Sequence, residues 1–303
     1  MVAAEYHIPV LVESSIDRWY TRPGGVYVDC TAGGGGHLRA LLAFDDPALR
    51  IVALDQDEAA IAQLPADPRL TAVQANFSDF EQVLDELGIE TVDGVLADLG
   101  VSSHHFDSPE RGFSFRFDAP LDMRMNPQSD APTAAQLLNE AHVDELRHWL
   151  RELGEVHQPG RVAKALDDFR QHRPFERTVD LNEVLAPFTP ARHRNSFLAQ
   201  VYQALRMVVN REIEVLETFL HAVPRRLRSG GALVVLSYHS LEDRRVKYMF
   251  RSGNLEDSPQ RDFYGNVLTP WRETSRRAIQ PDESEIERNP RSRSARLRWG
   301  IKA

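Results

Sequence analysis

The chain has 303 residues, of which 42% are hydrophobic and 27% are charged, and its formal net charge is −9. This composition is typical of a globular protein with one large domain or two smaller ones, and it excludes collagen-like, disordered and coiled-coil chains. The single cysteine, Cys30, excludes an internal disulfide and a multi-cysteine zinc site. The sequence has neither an apolar run long enough to span a membrane nor a pattern typical of a signal peptide, so we expect a soluble, cytoplasmic protein.

The positive charges are unevenly distributed along the sequence. The segment 288–303 contains five Arg, one Lys and no acidic residue, and a second cluster is formed by Arg244, Arg245, Lys247 and Arg251. The negative net charge argues against nonspecific coating of nucleic acid. The two clusters are compatible with a solvated surface and with a local footprint for phosphate groups, and the sequence leaves both interpretations open.

Strand and helix patterns alternate over the first hundred residues. The predicted strands are 26–30, 51–54, 70–73 and 92–99, and the predicted helices are 37–44, 58–64 and 80–87. Alternation of this length is typical of parallel βαβ units. We therefore predict an α/β fold with a doubly wound, mostly parallel sheet.

The pattern changes after residue 117. Short helices are predicted at 133–139, 143–153, 160–171 and 180–185. No convincing strand pattern separates them, and proline and glycine mark the boundaries between them. We therefore predict an all-helical insertion at 117–206, which interrupts a sheet domain formed by 1–116 and 207–303.

The chain is predicted to return to the sheet after this insertion. Apolar residues at helical spacing indicate one long helix over 196–222. The most apolar strand of the sequence follows at 232–236. Near the C-terminus, apolar residues alternate with arginine over 295–301, which is typical of a strand with one buried face.

A glycine-rich turn follows the first predicted strand. It comprises Gly33 to Gly36, and Asp55 ends the second strand about 20 residues further on. Glycines let the backbone approach a ligand closely, and an acidic residue at this point can accept hydrogen bonds from ribose hydroxyls. The turn has neither GxGxxG spacing nor the lysine of a phosphate loop, so it favours S-adenosylmethionine over NAD or ATP.

Polar side chains also follow two later strands. Asp98 ends the fourth strand and is predicted to lie beside a cofactor bound at the glycine-rich turn. His239 follows the fifth strand and is a candidate functional residue, whereas Ser240 suits a helix N-cap. The adjacent His104 and His105 face opposite ways on an extended segment, so they form a poor metal site and no metal is predicted.

Seven motifs occur in a fixed order along the chain. They are DCTAGGGGH at 29–37, DLGVSS at 98–103, RGFSF at 111–115, LDMRM at 121–125, QALRMVVN at 203–210, HSLEDR at 239–244 and NPRSRSARLR at 289–298. Each motif is short, but together they span almost the whole chain. The series resembles the bacterial ribosomal RNA small-subunit methyltransferase H family, also called MraW.

The resemblance implies a class I methyltransferase that uses S-adenosylmethionine to methylate N4 of one cytidine in 16S rRNA, in the decoding region of the small ribosomal subunit. It also implies a Rossmann-like sheet with a helical domain inserted after the fourth strand, in agreement with the pattern above. The residues expected to bind the cofactor are Gly34, Gly35, Gly36, His37, Asp55, Phe77, Asp98 and His105.

Two residues are expected to serve catalysis. Asp98, or a backbone carbonyl just after it, would accept a hydrogen bond from the exocyclic amine of the target base, and His239 would position the base or remove the proton. The residues expected to contact RNA are Arg111, Phe115, Arg124, Arg244, Arg296 and Arg298. For the loop that carries the first three, a purely structural role is the alternative.

Three positions in two segments depart from the family pattern. The family usually has Pro-Gln where this chain has His104 and His105, and Phe where it has Tyr238. The family's glutamine contacts the cofactor, and an imidazole nitrogen either donates or accepts one hydrogen bond, so His105 would reproduce that contact only in part.

Three other function classes share part of this pattern. A methyltransferase acting on DNA or protein would share the glycine-rich turn, and a nicotinamide-dependent dehydrogenase would share the sheet and Asp55. An RNA-binding ribosome-assembly factor without enzymatic activity would leave the glycine-rich turn and Asp55 unexplained. The sequence leaves the oligomeric state open, including a homodimer.

Overall fold

The structure is a computed structural model, and it describes residues 9–100, 109–189 and 194–303. The chain divides into two compact units, the first formed by 1–100 with 213–303 and the second by 101–212. The predicted insertion, 117–206, lies inside the second unit, which begins earlier and ends later than the pattern indicated.

The first unit contains one seven-stranded sheet. Its strands are β1 (Val26–Asp29), β2 (Arg50–Asp55), β3 (Leu70–Gln74), β4 (Val92–Asp98), β5 (Leu227–Ser237), β6 (Trp271–Thr274) and β7 (Arg296–Lys302). They lie in the order β3-β2-β1-β4-β5-β7-β6. Strands β1 to β5 pair in parallel, and β7 is antiparallel to both β5 and β6. The predicted doubly wound, mostly parallel Rossmann-like sheet is confirmed.

Helices alternate with these strands only in the first unit. They are α1 (Val12–Trp19), α2 (Gly36–Leu42), α3 (Glu58–Ile61), α4 (Phe80–Glu86), α5 (Ala134–Glu140), α6 (Val143–Glu152), α7 (Pro159–Arg170), α8 (Thr178–Leu185), α9 (Arg194–Val209), α10 (Glu212–Arg226), α11 (Ser240–Ser252) and α12 (Glu283–Arg288). Among the described residues, no helix is long and apolar enough to cross a membrane.

Both faces of the sheet are covered, which explains the apolar runs in its central strands. Side chains alternate between the two faces of a strand, so Val234 packs with α1 and α2 on one face. Val235 packs with α4, α10 and α11 on the other face. The covered faces leave the edge of the sheet, where parallel strands end, as the place for polar residues.

The second unit has a hydrophobic core of its own, built from helices α5 to α9. Within its described residues the only strand-like pairing is a single bridge between Pro120 and Arg177. The one long helix predicted over 196–222 is wrong, because α9 ends at Val209 and Arg211 has a positive φ of 49°. Asn210 is the physical reason: its side chain accepts a hydrogen bond from Met125 N–H and donates one to the Met123 carbonyl, both at 2.8 Å.

Candidate active site

The glycine-rich turn connects the end of β1 to α2 at the carboxyl edge of the sheet. Gly33 and Gly35 have positive φ values of 48° and 74°, which favour glycine. The N–H of Gly33 donates to Oδ2 of Asp55 at 2.8 Å, so the end of β2 is tied to the turn. A Cβ added at Gly33 would meet only the Thr31 carbonyl oxygen, at 3.8 Å. The backbone at Gly33 is therefore open to a ligand, and binding of the cofactor there stays a prediction.

Asp29 is a buried carboxyl group at the base of this turn. Burial, together with the smaller effect of the negative charges of Asp98 and Asp55, raises the pKa of Asp29 to about 7, although the hydrogen bond from Thr31 N–H acts in the opposite direction. Three carboxyl groups therefore interact at the ends of three neighbouring strands. This acidic set suits a ligand with cationic sulfonium and ammonium groups and with ribose hydroxyls.

We expect the Asp29 carboxyl to make folding less favourable as the pH rises from about 4 to about 7. The unfolded chain releases this proton near pH 3.8 and the folded chain keeps it until about pH 7, so the unfolded state binds fewer protons in this window. At about 1.4 kcal/mol per pKa unit, the loss is roughly 4 kcal/mol. Urea unfolding at pH 4.5 and 7.5 measures it, and Asp29→Asn should remove most of the difference. Equal pH dependence in the two proteins would contradict the prediction.

Asp98 is held from two sides at the end of β4. Its backbone N–H donates to Oγ1 of Thr31 at 2.6 Å, and its Oδ1 accepts a hydrogen bond from the Tyr238 hydroxyl at 2.7 Å. Burial and the charge of Asp98 raise the pKa of Tyr238 well above its usual value, so the hydroxyl keeps its proton and acts as the donor. The carboxylate is thus oriented by the residue that directly follows β5, as a positioned proton or hydrogen-bond acceptor requires.

His239 begins α11 and caps it. Its Nδ1 accepts a hydrogen bond from Glu242 N–H at 3.4 Å, so the expectation that Ser240 is the N-cap is wrong. An imidazole that accepts at Nδ1 carries its proton on Nε2, and Nε2 lies 3.1 Å from Oε1 of Glu242. Within the described residues this contact lacks hydrogen-bond geometry, so Nε2 is buried without a partner. In this state His239 suits positioning better than proton removal.

The other residues predicted to bind the cofactor lie near the same edge of the sheet. The side chains of His37 and Phe77 make contacts within the fold. His37 is buried, and its Nε2 lies 3.1 Å from the Val10 carbonyl oxygen, so the ring contributes to the fold. Gly36 is required for packing, because a Cβ there would lie 2.6 Å from Pro9. Phe77 follows β3 and packs edge-to-face on Phe219, with ring centroids 5.3 Å apart.

Gly34 and His105 are the two other residues that the sequence predicts to bind the cofactor. The Gly34 carbonyl accepts a hydrogen bond from the Arg39 guanidinium, which braces the turn from the solvent side. His105, together with His104, lies outside the described residues. Its contact with a cofactor stays a prediction.

Three residues predicted to contact RNA hold a loop of the second unit together. The Arg111 guanidinium donates to the carbonyls of Arg124 and Met125, at 3.0 and 2.8 Å. The Arg124 guanidinium forms a two-point ion pair with Asp122, at 2.8 and 2.9 Å. Phe115 is half-buried and packs edge-to-face on Tyr202. The structural role that was the alternative for this loop is therefore present, and contact with RNA stays a prediction.

The three predicted RNA contacts of the first unit differ in exposure. Arg244 lies on α11, is exposed and forms no ion pair with the described residues. Arg298 is only 9% exposed and forms a two-point ion pair with Asp243, at 2.7 and 3.1 Å. Arg296 is more exposed and donates to the same carboxylate at 3.0 Å. Arg298 therefore stabilises the fold, and its burial argues against the predicted contact with RNA.

Comparison with known proteins identifies the family of this chain. The model of a family described as the MraW methylase family matches residues 4–303. The chain belongs to this family. It is similar to proteins named ribosomal RNA small subunit methyltransferase H from Flavobacterium johnsoniae, with 46% identity over 97% of each chain, and from Bacteroides thetaiotaomicron, with 45% identity over 97% of this chain and 96% of the relative. A putative rRNA-methylase structure from Clostridium thermocellum matches with 13% identity and a TM-score of 0.45, covering 98% of this chain and 100% of that one.

Membership of a methylase family agrees with the cofactor predicted from the sequence, S-adenosylmethionine. In this methylase, sequence reasoning missed three residues of the site. Thr31 binds the Asp98 backbone, Tyr238 binds its side chain, and Oε2 of the buried Glu242 accepts a hydrogen bond from Tyr238 N–H at 2.9 Å. The available signal was the position of Tyr238 directly after the most apolar strand, where a hydroxyl meets the ends of neighbouring strands.

Proposed function

We propose that this protein transfers the methyl group of S-adenosylmethionine to N4 of one cytidine in the decoding region of 16S rRNA. The observation that carries the proposal is the Asp98 carboxylate, oriented by Tyr238 beside the open glycine-rich turn. Membership of the MraW methylase family and the names of its curated relatives support an rRNA substrate.

The residues at the turn fit this cofactor. Gly33 would receive it against open backbone, Asp55 would accept hydrogen bonds from its ribose, and Phe77 would contribute to the adenine surroundings. When bound, the cofactor supplies an electrophilic methyl group on a cationic sulfur. The negative charges of Asp55 and Asp98 favour that positive charge.

Asp98 performs the main chemical task of the chain. The lone pair of cytosine N4 is delocalised into the ring, so the amine is a weak nucleophile. A carboxylate that accepts a hydrogen bond from the amine concentrates electron density on N4 as the new N–C bond forms, and it takes up the proton that N4 must lose. Tyr238 orients this carboxylate, and His239, the next residue in the chain, is held by its capping bond to α11.

RNA has to present a single unstacked base to such a site. Sequence-specific RNA recognition usually targets loops, where bases can be turned out of the stack. Arg244 and Arg296 lie on the first unit and are available for phosphate contacts, and the loop of Arg111, Phe115 and Arg124 is the candidate on the second unit. The second unit is proposed as the RNA-recognition domain.

Methyl transfer from labelled S-adenosylmethionine to small ribosomal subunits tests the proposal. The subunits come from a strain that lacks this activity, and nucleoside mapping identifies the product. We expect N4-methylcytidine at one position of 16S rRNA. Bound cofactor without transfer to RNA would contradict the proposal and direct the search to DNA or protein acceptors.

Tyr238→Phe should lower kcat about tenfold and move the acidic limb of the kcat profile to higher pH. Removal of the hydroxyl takes away a hydrogen bond that favours the ionised form of Asp98, so a larger fraction of the carboxyl is protonated at a given pH. The partly buried ring is retained, so the thermal midpoint should change little. Tyr248→Phe on α11 is the matched control, and an unchanged pH profile in Tyr238→Phe would contradict the role of the hydroxyl.

A further inference from the structure

Two aromatic side chains of the first unit are almost fully exposed. Phe263 is 96% and Tyr264 86% exposed, the highest values among the large hydrophobic residues that the structure describes. They lie at the tip of a hairpin formed by residues 260–268, called the aromatic hairpin below. Exposed aromatic rings at a loop tip lose favourable burial, so they need a partner to explain them.

The aromatic hairpin is a built turn. Leu268 N–H donates to the Gln260 carbonyl at 2.8 Å, and Asp262 N–H donates to the Asn266 carbonyl at 2.9 Å. The Asp262 carboxylate closes the tip by accepting hydrogen bonds from the N–H groups of Tyr264 and Asn266, both at 2.8 Å. These bonds hold the two rings out in solvent. The rings are nearly perpendicular, at 87°, and so present two separate stacking surfaces.

The base of the aromatic hairpin is fixed to the end of α11. A Cβ added at Gly253, directly after this helix, would lie 3.0 Å from Pro270 and 3.1 Å from Thr269. The indole N–H of Trp271 donates to the Met249 carbonyl at 3.0 Å. Helix α11 begins at Ser240, directly after Tyr238, which bonds to Asp98, and it ends against the hairpin. It therefore connects the candidate active site to the aromatic tip.

The solvent side of α11 is basic along its length. Arg244, Lys247 and Arg251 are exposed, and their spacing of three and four residues places them on one face. Arg244 and Lys247 form no ion pair with the described residues, whereas Arg251 pairs with Asp257 and lies over the Tyr248 ring at 5.5 Å. The 13 residues of the helix span about 20 Å, the length of roughly six stacked nucleotides.

The local charge favours RNA over protein as the partner. Between Arg244 and Arg277 the sequence has eight Arg and Lys against four Asp and Glu, in a chain whose net charge is −9. The exposed apolar surface consists of two rings and Leu268, which is small for a stable protein interface of about 800 Å² per partner. A row of cations that ends in exposed aromatic rings is the combination by which proteins bind single-stranded nucleic acid.

We propose that the exposed face of α11 and the aromatic hairpin form a track for single-stranded RNA, with phosphates on Arg244 and Lys247 and bases stacked on Phe263 and Tyr264. This inference rests on the proposed function and extends the RNA contact predicted at Arg244 along the roughly 20 Å of α11 to the aromatic hairpin. The track would hold RNA that flanks the target nucleotide and would not touch the reacting atoms.

Binding of a fluorescently labelled, single-stranded RNA of about 20 nucleotides from the target region tests the track without requiring methyl transfer. The double variant Phe263→Ala, Tyr264→Ala should raise the Kd about 10- to 100-fold, since stacking of one base contributes a factor of this order. The ring-retaining pair Phe263→Tyr, Tyr264→Phe should bind within about twofold of the wild type. Cofactor affinity and the thermal midpoint should not change in either variant.

The cations are tested by the salt dependence of the same binding. Arg244→Gln with Lys247→Gln should reduce the slope of log K against log salt by about 1.4, because each phosphate contact on a single strand contributes about 0.7. Arg50→Gln, an exposed arginine at the start of β2, is the matched control and should keep the slope.

Three outcomes would overturn the track. Unchanged RNA affinity in the alanine pair, or an equal loss in the ring-retaining pair, excludes base stacking. A loss of binding to small subunits without a loss on protein-free RNA assigns the aromatic hairpin to a protein partner. If the wild-type protein still methylates 16S rRNA, each of these outcomes contradicts only the track and not the proposed function. A wild-type protein that neither binds nor methylates RNA would contradict both the track and the proposed function.

Discussion

Asp98→Asn is expected to lower kcat for methyl transfer at least a hundredfold. The amide is nearly the same size, and its oxygen can still accept the hydrogen bond from Tyr238. Its NH2 group then points where a carboxylate oxygen stood, and two donors face each other when the amine of the base arrives. Loss of a positioned proton acceptor typically costs two to four orders of magnitude in rate.

Single-turnover methyl transfer separates this effect from binding. Cofactor affinity is measured in parallel by calorimetry, because the sequence also predicts Asp98 to contact the cofactor. Asp17→Asn, an exposed position on α1, is the matched control and should have wild-type kcat. A fall in kcat at saturating cofactor and RNA supports the role of Asp98. Full turnover in Asp98→Asn would contradict it and leave a backbone carbonyl as the acceptor.

The sheet was predictable because its signals are local. Each of the first four strands is a short apolar run between helices, and the period of two near the C-terminus indicated β7. Strand β6 was missed because only Trp271 is buried among its four residues, so it has no apolar pattern. The break between α9 and α10 was missed because Asn210 bonds to backbone more than 80 residues away in the chain.

The candidate site, like the fold, was predictable from the sequence only in its local features. The glycine-rich turn, Asp55 and Asp98 could be placed because each follows directly after a strand. The bond between Tyr238 and Asp98 joins residues 140 positions apart, and a single sequence carries no record of such a pairing. The Tyr238 hydroxyl, which the family's usual Phe lacks, therefore orients the proposed acceptor.

Arg296 and Arg298 on β7 show that a periodic pattern does not predict which charged side chains are buried. Alternation over 295–301 correctly indicated that Arg296 and Arg298 share one face of β7, and the natural inference was that this face meets solvent or RNA. In the structure α11 covers that face and Asp243 reaches both guanidinium groups. Burial of a basic side chain was invisible in the sequence because its acidic partner lies 55 positions away.

Arg298→Met is expected to destabilise the folded protein by about 3 kcal/mol. Asp243 is 6% exposed, and its partner Arg298 supplies two of its three charged hydrogen bonds. Removing one member of a buried pair leaves a desolvated charge, and such changes cost roughly 3–5 kcal/mol. Arg296→Met is the matched control, with an expected loss of at most about 1 kcal/mol because that side chain is 45% exposed.

Urea unfolding across pH distinguishes this pair from an RNA contact. Burial acts to raise the pKa of Asp243, but the hydrogen bonds and charges of Arg298 and Arg296 outweigh it and hold the pKa below its usual value. The pair therefore stabilises the fold above about pH 4, and this contribution is lost as the pH falls through the lowered pKa. Arg298→Met should show a weaker acid dependence and, below its unfolding temperature, wild-type RNA affinity. Unchanged stability with weakened RNA binding would instead return Arg298 to the RNA surface, where the sequence pattern had placed it.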